Sequence, residues 1–367
     1  MTHLAGFRPP GVAEARLTRL DVEPAPMAFS LGLGLTNECN LACAHCYRPT
    51  GGAFRLSLED VQRTCESVPI ASANLGTGEN GIHPQFNVIT EYLLGRGIKT
   101  SLTTNGYTVE VMPNALLKSL TEVEFSFDFP TQPEQDTFRG PGSWDMAMQA
   151  MRRCRSLGIE VTIVAVMMRT NFRRLPEVAR LARDCGANFR VNVYQPVKSD
   201  AFSMSYAEFW EGWRRLFEVA GLVTTTEPIV NAMLGLNSLA GCACGRRTIR
   251  VTPLRRVIPC VYWRGDGLPL ERLWELKEAI LQTENFCAAR LVPAACRGCV
   301  HETSCAGGCV GRRLLAGDIL APDPYCPIIQ QDPMRLTARM AQGRALVKSG
   351  SACTTILRVD GHAGAAS

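Results

Sequence analysis

The sequence contains no run of eighteen apolar residues, the shortest stretch that reads as a membrane-crossing helix. Its opening residues, Met1-Thr-His-Leu-Ala5, lack the charged, apolar and small-residue order of a secretory signal. Net charge is also in short supply. The formal value of +5 is spread along the chain, which gives no argument for nucleic acid and allows anionic ligands without demanding them. No internal repeat is visible. These absences predict a soluble, cytoplasmic protein with neither membrane nor nucleic acid as partner. What is present suits a folded chain: 367 residues, 46% hydrophobic and 20% charged, enough for one large domain or two unequal ones. Sixteen cysteines stand out. Reducing compartments do not keep disulfide staples, so ligation of a metal or cluster is the expectation, and thiol spacing tests it.

Apolar, often β-branched runs at 31–35, 71–75, 98–102, 123–127, 159–166 and 189–193 read as strands of a parallel sheet. Helical stretches separate them. Ser57-Leu-Glu-Asp60 has the spacing of an N-terminal capping box, with Asp60 in place of the usual glutamate. Gly97, Gly158 and Gly186 stand where helices should stop. The alternation predicts an α/β fold: a partial (βα)6 TIM-like barrel, short of the eight repeats of closure, followed by a small cysteine-rich domain. The boundaries read as an N-terminal extension over 1–30 lying across the barrel, the barrel over 31–225, a cysteine-rich domain over 226–330, and a C-terminal helix with a frayed Gly/Ala/Ser-rich tail over 331–367. Residues 206–219 read as the helix that ends the barrel. Between Gly241 and Cys326 come nine cysteines and one clear helical pattern near 270–282, too little apolar material to hold without metal.

Cys39, Cys43 and Cys46 follow the first strand. Three thiolates in eight residues can hold three irons of a cubane [4Fe–4S] cluster and leave the fourth open, whereas electron-transfer clusters have four cysteines. A zinc site completed by His45 competes with this reading, but His45 stands between the thiols and the 3-then-2 spacing is unusual for zinc.

C-x3-C-x2-C followed by the aromatic Tyr47 resembles the motif of radical S-adenosylmethionine (SAM) enzymes. The resemblance implies that SAM chelates the open iron and is cleaved to a 5′-deoxyadenosyl radical that abstracts hydrogen from substrate. Gly76-Thr-Gly78-Glu79-Asn80 resembles that family's Gly-Gly-Glu-Pro segment, with Thr77 and Asn80 as departures; Glu79 and Gly78 would hold the methionine amino group. Asn105 in Thr-Thr-Asn-Gly, Ser126 and Asp128 after the fourth strand, and Arg139 resemble further SAM contacts on ribose or carboxylate. Their shared placement after successive strands fits a barrel that carries chemistry at one end. Taken singly, Arg139 reads equally as a surface residue and Asp128 as a helix cap.

Cys296-x2-Cys299-x5-Cys305-x3-Cys309, with Cys244 and Cys260 before it and Cys326 after, resembles the SPASM extension of that family, which carries two auxiliary [4Fe–4S] clusters. Eight thiolates are needed, and Cys242 is the available eighth. The resemblance implies one cluster on Cys242, Cys244, Cys260 and Cys309, and another on Cys296, Cys299, Cys305 and Cys326, so three clusters in all. Arg255 replaces a glycine of the pattern. A zinc ribbon is the competing reading. Cys65, Cys154, Cys185, Cys287 and Cys353 match no motif. The first three read as small buried hydrophobes.

Val261 after Cys260, in place of the aspartate of sulfatase-maturing relatives, argues against sulfatase maturation. Tyr262 and Asp266 are polar candidates nearby, but the sequence identifies no general base. Most relatives with this extension modify ribosomally made peptides. The resemblance therefore implies an oxidoreductase acting on a precursor peptide, by crosslink, thioether or excision, with a flavodoxin- or ferredoxin-type reductant. Too little chain precedes Leu31 for a fused leader-binding domain, so a separate small one is expected. The alternative is oxidation of a small molecule such as a tetrapyrrole side chain or an aminosugar; a non-catalytic zinc or electron-transfer protein is the third reading.

Overall fold

The six apolar runs form β1 (Phe29–Leu33), β2 (Ile70–Leu75), β3 (Lys99–Thr104), β4 (Glu122–Ser126), β5 (Val161–Met167) and β6 (Asn188–Val193) in the computed structural model, which describes residues 28–236, 241–342 and 353–359. They lie in chain order, each parallel to the next. Five further strands follow: β7 (Gly221–Thr225), β8 (Thr248–Val251), β9 (Arg256–Ile258), β10 (Leu268–Pro269) and β11 (Thr354–Arg358). The eleven make one open sheet in the order β10-β9-β8-β1-β2-β3-β4-β5-β6-β11-β7. The result is a partial TIM-like barrel with a cysteine-rich region after it.

Local chemistry explains the helices. Ser57 and Asp60 form the reciprocal box, with Asp60 N–H on Ser57 Oγ at 3.1 Å and Ser57 N–H on Asp60 Oδ2 at 3.0 Å. The helix Leu58–Ser67 starts there. The helices ahead of β3, β5 and β6 end by Gly97, Gly158 and Gly186, all at positive φ. A second box, Ser205 with Glu208, opens the helix Tyr206–Val219. That helix buries Phe209, Trp210 and Trp213 completely, each side chain contributing about 1.5–3 kcal/mol or more. Trp210 Nε1–H donates to Tyr325 O at 3.0 Å, and Phe209 stacks on Tyr325 at 4.1 Å. The cysteine-rich segment is thus packed onto the barrel's last helix. Among the described residues no helix is long and apolar enough to cross a membrane.

The ends of the chain depart from the sequence reading. The extension expected over 1–30 falls on residues 1–27, outside those described, while Phe29 and Ser30 already belong to β1. Residues 330–342 hold no helix, and any helix over 343–352 lies outside the described residues. Thr354–Arg358, expected within a frayed tail, is a strand inserted antiparallel between β6 and β7. Its alternating Thr-Thr-Ile-Leu pattern has β propensity, but the slot it fills is made by distant strands. The single helix near 270–282 breaks at Lys277, where φ is +52, into Leu270–Leu276 and a 3-10 turn over Lys277–Gln282.

Candidate functional site

Residues 37–54 connect β1 to the first helix as a loop held by side chains. Asn37 Nδ2 donates to Gly52 O at 2.8 Å and Pro49 O at 3.1 Å, and Asn37 Oδ1 accepts from Phe54 N–H at 2.7 Å. Arg48 spans the same loop, donating to Asn37 O at 2.8 Å and Leu41 O at 2.9 Å. The bracing brings Cys39, Cys43 and Cys46 to the wall of one cavity of about 190 Å³. Burial pushes the Cys39 thiol up to about 11, so holding it as a thiolate needs a bound cation nearby.

The opposite wall is the inward face of the strands, at alternate positions as the pleat requires: Asn74 and Gly76; Glu124 and Ser126; Val164 and Val166; Arg190 and Asn192. Tyr47, Gly78, Glu79, Asn105, Ser126 and Arg139, all singled out in the sequence, line this cavity too. Asp128 does not. It is fully buried, and Oδ2 accepts from Arg139 Nε at 2.9 Å and Oδ1 from Val166 N–H at 2.9 Å. In this geometry it holds Arg139 in place.

Glu79 is buried with its oxygens aimed at the turn after β3. Oε2 accepts from Asn105 N–H at 2.9 Å; Oε1 accepts from Thr108 N–H at 2.9 Å, the Thr104 hydroxyl at 2.5 Å and the Thr108 hydroxyl. Burial pushes this carboxyl up, while those four donors pull it down. Gly78 has φ +64, and a Cβ there would meet Glu38 O and Thr36 O at 2.5 Å, so only glycine lets the two loops approach. Thr77, standing where the family has glycine, keeps a glycine-like φ of +106. Its hydroxyl lies 3.2 Å from Tyr47 Oη and accepts from Arg250 Nη2. A β-branched residue at this φ is strained; the buried Arg250 helps hold it, also donating to Gly76 O at 2.7 Å.

Several cavity residues escaped sequence reading. Asn192 and Gln195, on and just after β6, follow the same strand-end rule that found Ser126, and so were within reach. Asn192 Oδ1, Gln195 Oε1 and His45 Nδ1 are buried without a hydrogen-bond partner. His45 stacks on Phe138 at 4.9 Å with Nε2 3.5 Å from Asp128, and burial pushes its pKa down to about 4. Glu124, paired with Arg190 and accepting from the Thr103 hydroxyl at 2.6 Å, faces the same space. Arg250 on β8 had no signal, because only the completed sheet brings β8 beside β1.

The cysteine-rich region separates its thiols into two groups. Cys296, Cys299, Cys305 and Cys326 line one small cavity with Met233 and Ile229. Cys242, Cys244, Cys260 and Cys353 pack in a second, apolar cluster with Val310 and Ala289. Cys309 joins it: a Cβ on Gly311 would lie 3.4 Å from Cys260 Sγ and 3.7 Å from Cys309 Sγ. A buried charge triad stands between the groups. Arg312 pairs with Glu227 at 2.5 Å and Asp323 at 2.7 Å, and Asp323 Oδ2 accepts Cys309 N–H at 2.8 Å. Among the described residues no three Cys, His, Asp or Glu side chains converge on a single ion position. A cubane does not ask for one, since each thiolate binds its own iron. Arg255 has φ +57, in the left-handed region that favours glycine, and pairs with Asp60 and Glu271. Of the polar candidates, Tyr262 lines the main cavity, T-stacked on Tyr47 at 5.6 Å. Asp266 lies instead in a groove with Leu254 and Trp263.

The comparisons with known proteins point the same way as the geometry. The profile of the radical SAM superfamily matches residues 33–182. The chain carries a radical SAM domain. It is 27% identical to the mycofactocin maturase MftC of Mycobacterium tuberculosis (strain ATCC 25618 / H37Rv), over 80% of this chain and 81% of that protein. It is 26% identical to the PqqA peptide cyclase of Gluconobacter oxydans (strain 621H), over 83% and 92%. The fold matches the crystal structure of anSMEcpe with bound AdoMet and the Cp18Cys peptide, at a TM-score of 0.63 and 18% identity, covering 82% of this chain and 94% of that one. The clustered cysteines of this chain are suited to iron–sulfur ligation.

Proposed function

We propose that this radical SAM enzyme matures a ribosomally made precursor peptide. The observation that carries the reading is a shared cavity. Cys39, Cys43 and Cys46 stand on one wall, and Tyr262, which packs beside Cys260, stands on another. A substrate seated there is within reach of both the SAM end and the auxiliary end. The relatives named for peptide maturation or solved with peptide support a peptide as that substrate.

Cys39, Cys43 and Cys46 would hold the SAM-binding [4Fe–4S] cluster. Cys242, Cys244, Cys260 and Cys309 would hold the first auxiliary cluster, and Cys296, Cys299, Cys305 and Cys326 the second. Domains over 31–225 and 226–330 correspond to these roles. When bound, the reduced cluster and SAM supply a 5′-deoxyadenosyl radical that removes a hydrogen atom from substrate. The chain's own residues do the rest. Glu79 and Gly78 fix the turn that receives the methionine amino group. Arg139, aligned by Asp128, presents a cation beside the thiol loop, and Cys43 Sγ lies 3.7 Å from Arg139 O. Gln195 and Asn192 offer unpartnered acceptors to a bound molecule. A substrate filling this space would limit water around a reactive carbon. Burial holds Tyr262 far above the usual phenol range, so it serves as a neutral donor and not as a base. The cytoplasm, a flavodoxin- or ferredoxin-type reductant and a separate small leader-binding protein complete the proposal.

The test is anaerobic turnover of the reconstituted, reduced protein with SAM and the short gene-encoded peptide it captures from lysate of its native host. We expect 5′-deoxyadenosine to form in step with a peptide lighter by the hydrogens removed. An unchanged peptide, with a tetrapyrrole or aminosugar oxidised in its place, overturns the peptide assignment. About twelve irons per chain are expected from three cubanes; zinc with little iron would overturn the whole reading.

A further inference from the structure

The first auxiliary group contains one thiol more than a cubane can use, and the extra one comes from outside the cysteine array. Cys353 directly precedes β11. Its Sγ lies 3.6 Å from Cys242 Sγ, and it also contacts Cys309. Cys242 in turn touches Cys244, and Cys244 touches Cys260. Cys260 and Cys309 both lie against Gly311. The five thiols therefore form a chain, 309, 353, 242, 244 and 260, whose two ends both lie against Gly311. No sequence pattern predicts the fifth member, because it stands beyond the motif and is delivered by a strand that pairs with β6 and β7.

The placement of Cys353 is fixed by structure rather than by chance proximity. Thr354 N–H donates to Thr226 Oγ1 at 3.0 Å, and Thr226 N–H donates to Thr354 O at 2.7 Å. Arg190 Nε donates to Thr354 Oγ1 at 2.8 Å. The residue after Cys353 is thus tied on two sides to the barrel, which leaves the thiol little freedom to swing away. Each iron of a cubane takes one protein ligand, so two of five thiols must share a corner. Cys353 touches both Cys242, at 3.6 Å, and Cys309; Cys309 is also anchored through its N–H on Asp323, so Cys242 is the partner whose corner Cys353 would share.

We propose that Cys353 is a ligand of the first auxiliary cluster, interchangeable with Cys242 at one iron. Exchange is balanced: one thiolate leaves the iron and takes up a proton as the neighbouring thiol loses one and binds, with no change in cluster charge or oxidation state. The proposal rests on the cluster reading above, and it makes the C-terminal strand part of the metal site.

The test compares iron and sulfide content, and the low-temperature EPR of the reduced, reconstituted full chain, for Cys242→Ser, Cys353→Ser and the double variant. Each single variant is expected to keep the wild-type iron, about twelve per chain. Their first-auxiliary EPR signals should differ from each other, because the remaining ligand approaches from a different side. The double variant should lose about four irons per chain, with the signals of the other two clusters unchanged. Loss of those irons from Cys242→Ser alone overturns the proposal, as does a double variant that keeps them. Absence of iron from the wild type would instead strike the cluster reading itself. Cys353→Ala/Thr354→Ala, read by circular dichroism, separates loss of the thiol from loss of the strand: unfolding in that variant with a folded Cys353→Ser assigns the defect to β11.

Discussion

The barrel mouth and the cysteine-rich region solve the same problem, holding reactive thiols in place, by opposite means. Around Cys39, Cys43 and Cys46 the scaffold is complete without metal. Behind the site lies a sheet packed with Phe29, Leu31, Leu33, Phe125 and Phe189, and the polar groups at its mouth are tied to one another through Glu79, Asp128, Arg250 and Glu124. The cysteine-rich region has short helices and, beside the apolar side chains it lends to the barrel's core, a second cluster made mostly of thiols. The buried Glu227–Arg312–Asp323 triad is one of its protein-only fastenings. A barrel of this kind folds first and takes its cofactor afterwards; the other region acquires much of its stability from ligation.

Four experiments break or sharpen that contrast. Cys43→Ala should abolish reductive SAM cleavage, measured as 5′-deoxyadenosine, while shifting Tm by no more than about 2 °C, the change that about 1 kcal/mol produces in a chain of this size. Collapse of the fold would show that the barrel depends on its thiols after all. Arg312→Met leaves Glu227 and Asp323 buried without their cation. Loss of about 3–5 kcal/mol is expected in denaturant unfolding, and because residues of both regions share one core the whole transition should shift.

The third concerns pH. Burial, and then Glu124, raise the Glu122 carboxyl to about 8, against a model-peptide value of 4.5. The folded state therefore holds this proton more tightly than the unfolded chain. Its stabilising contribution is present below about pH 4.5 and is lost as pH rises through about 8. Glu122→Gln should match the wild type in acid and gain on it progressively toward alkaline pH in thermal melts. A constant difference across that range would sink the assignment. The smallest effect belongs to Arg255→Gly. Relief of a left-handed conformation, about 1–2 kcal/mol, is set against two partly exposed ion pairs of about 0–1 kcal/mol each. The net change should lie within about 1 kcal/mol, and a larger loss would show that Asp60 and Glu271 bind the arginine more strongly than surface pairs do.

What the sequence disclosed follows physical range. Features decided within a few residues were legible: the Ser57–Asp60 box, the helix stops, the bounds of Tyr206–Val219, and the three-thiol loop. Features decided by meeting across the sheet were not. Arg250 reaches the SAM end because β8 pairs with β1, and Cys353 reaches the auxiliary thiols because β11 enters between β6 and β7. Asp128 shows the limit inside a motif. Its position after β4 was read correctly, but its carboxylate turns toward Arg139 and Val166, a direction that alternation does not determine once the strand has ended. Thr77 and Arg255 make the same point: both stand at a φ that favours glycine, held by Arg250 in one case and by carboxylates in the other.

The position of β11 also orders events in time. Thr225 of β7 and Thr354 are 129 residues apart in the chain, yet among the described strands β7 pairs with β11 alone, with one further bridge from Leu222 to Met340. On the ribosome, β7 emerges long before the strand that will dock it, and translation proceeds at about 5–20 residues per second. For several seconds the nascent sheet carries an open edge at β6, with β7 waiting unpaired beside it. That interval is when an edge-capping chaperone would have something to hold, and when the thiols downstream would first become available to the machinery that loads iron.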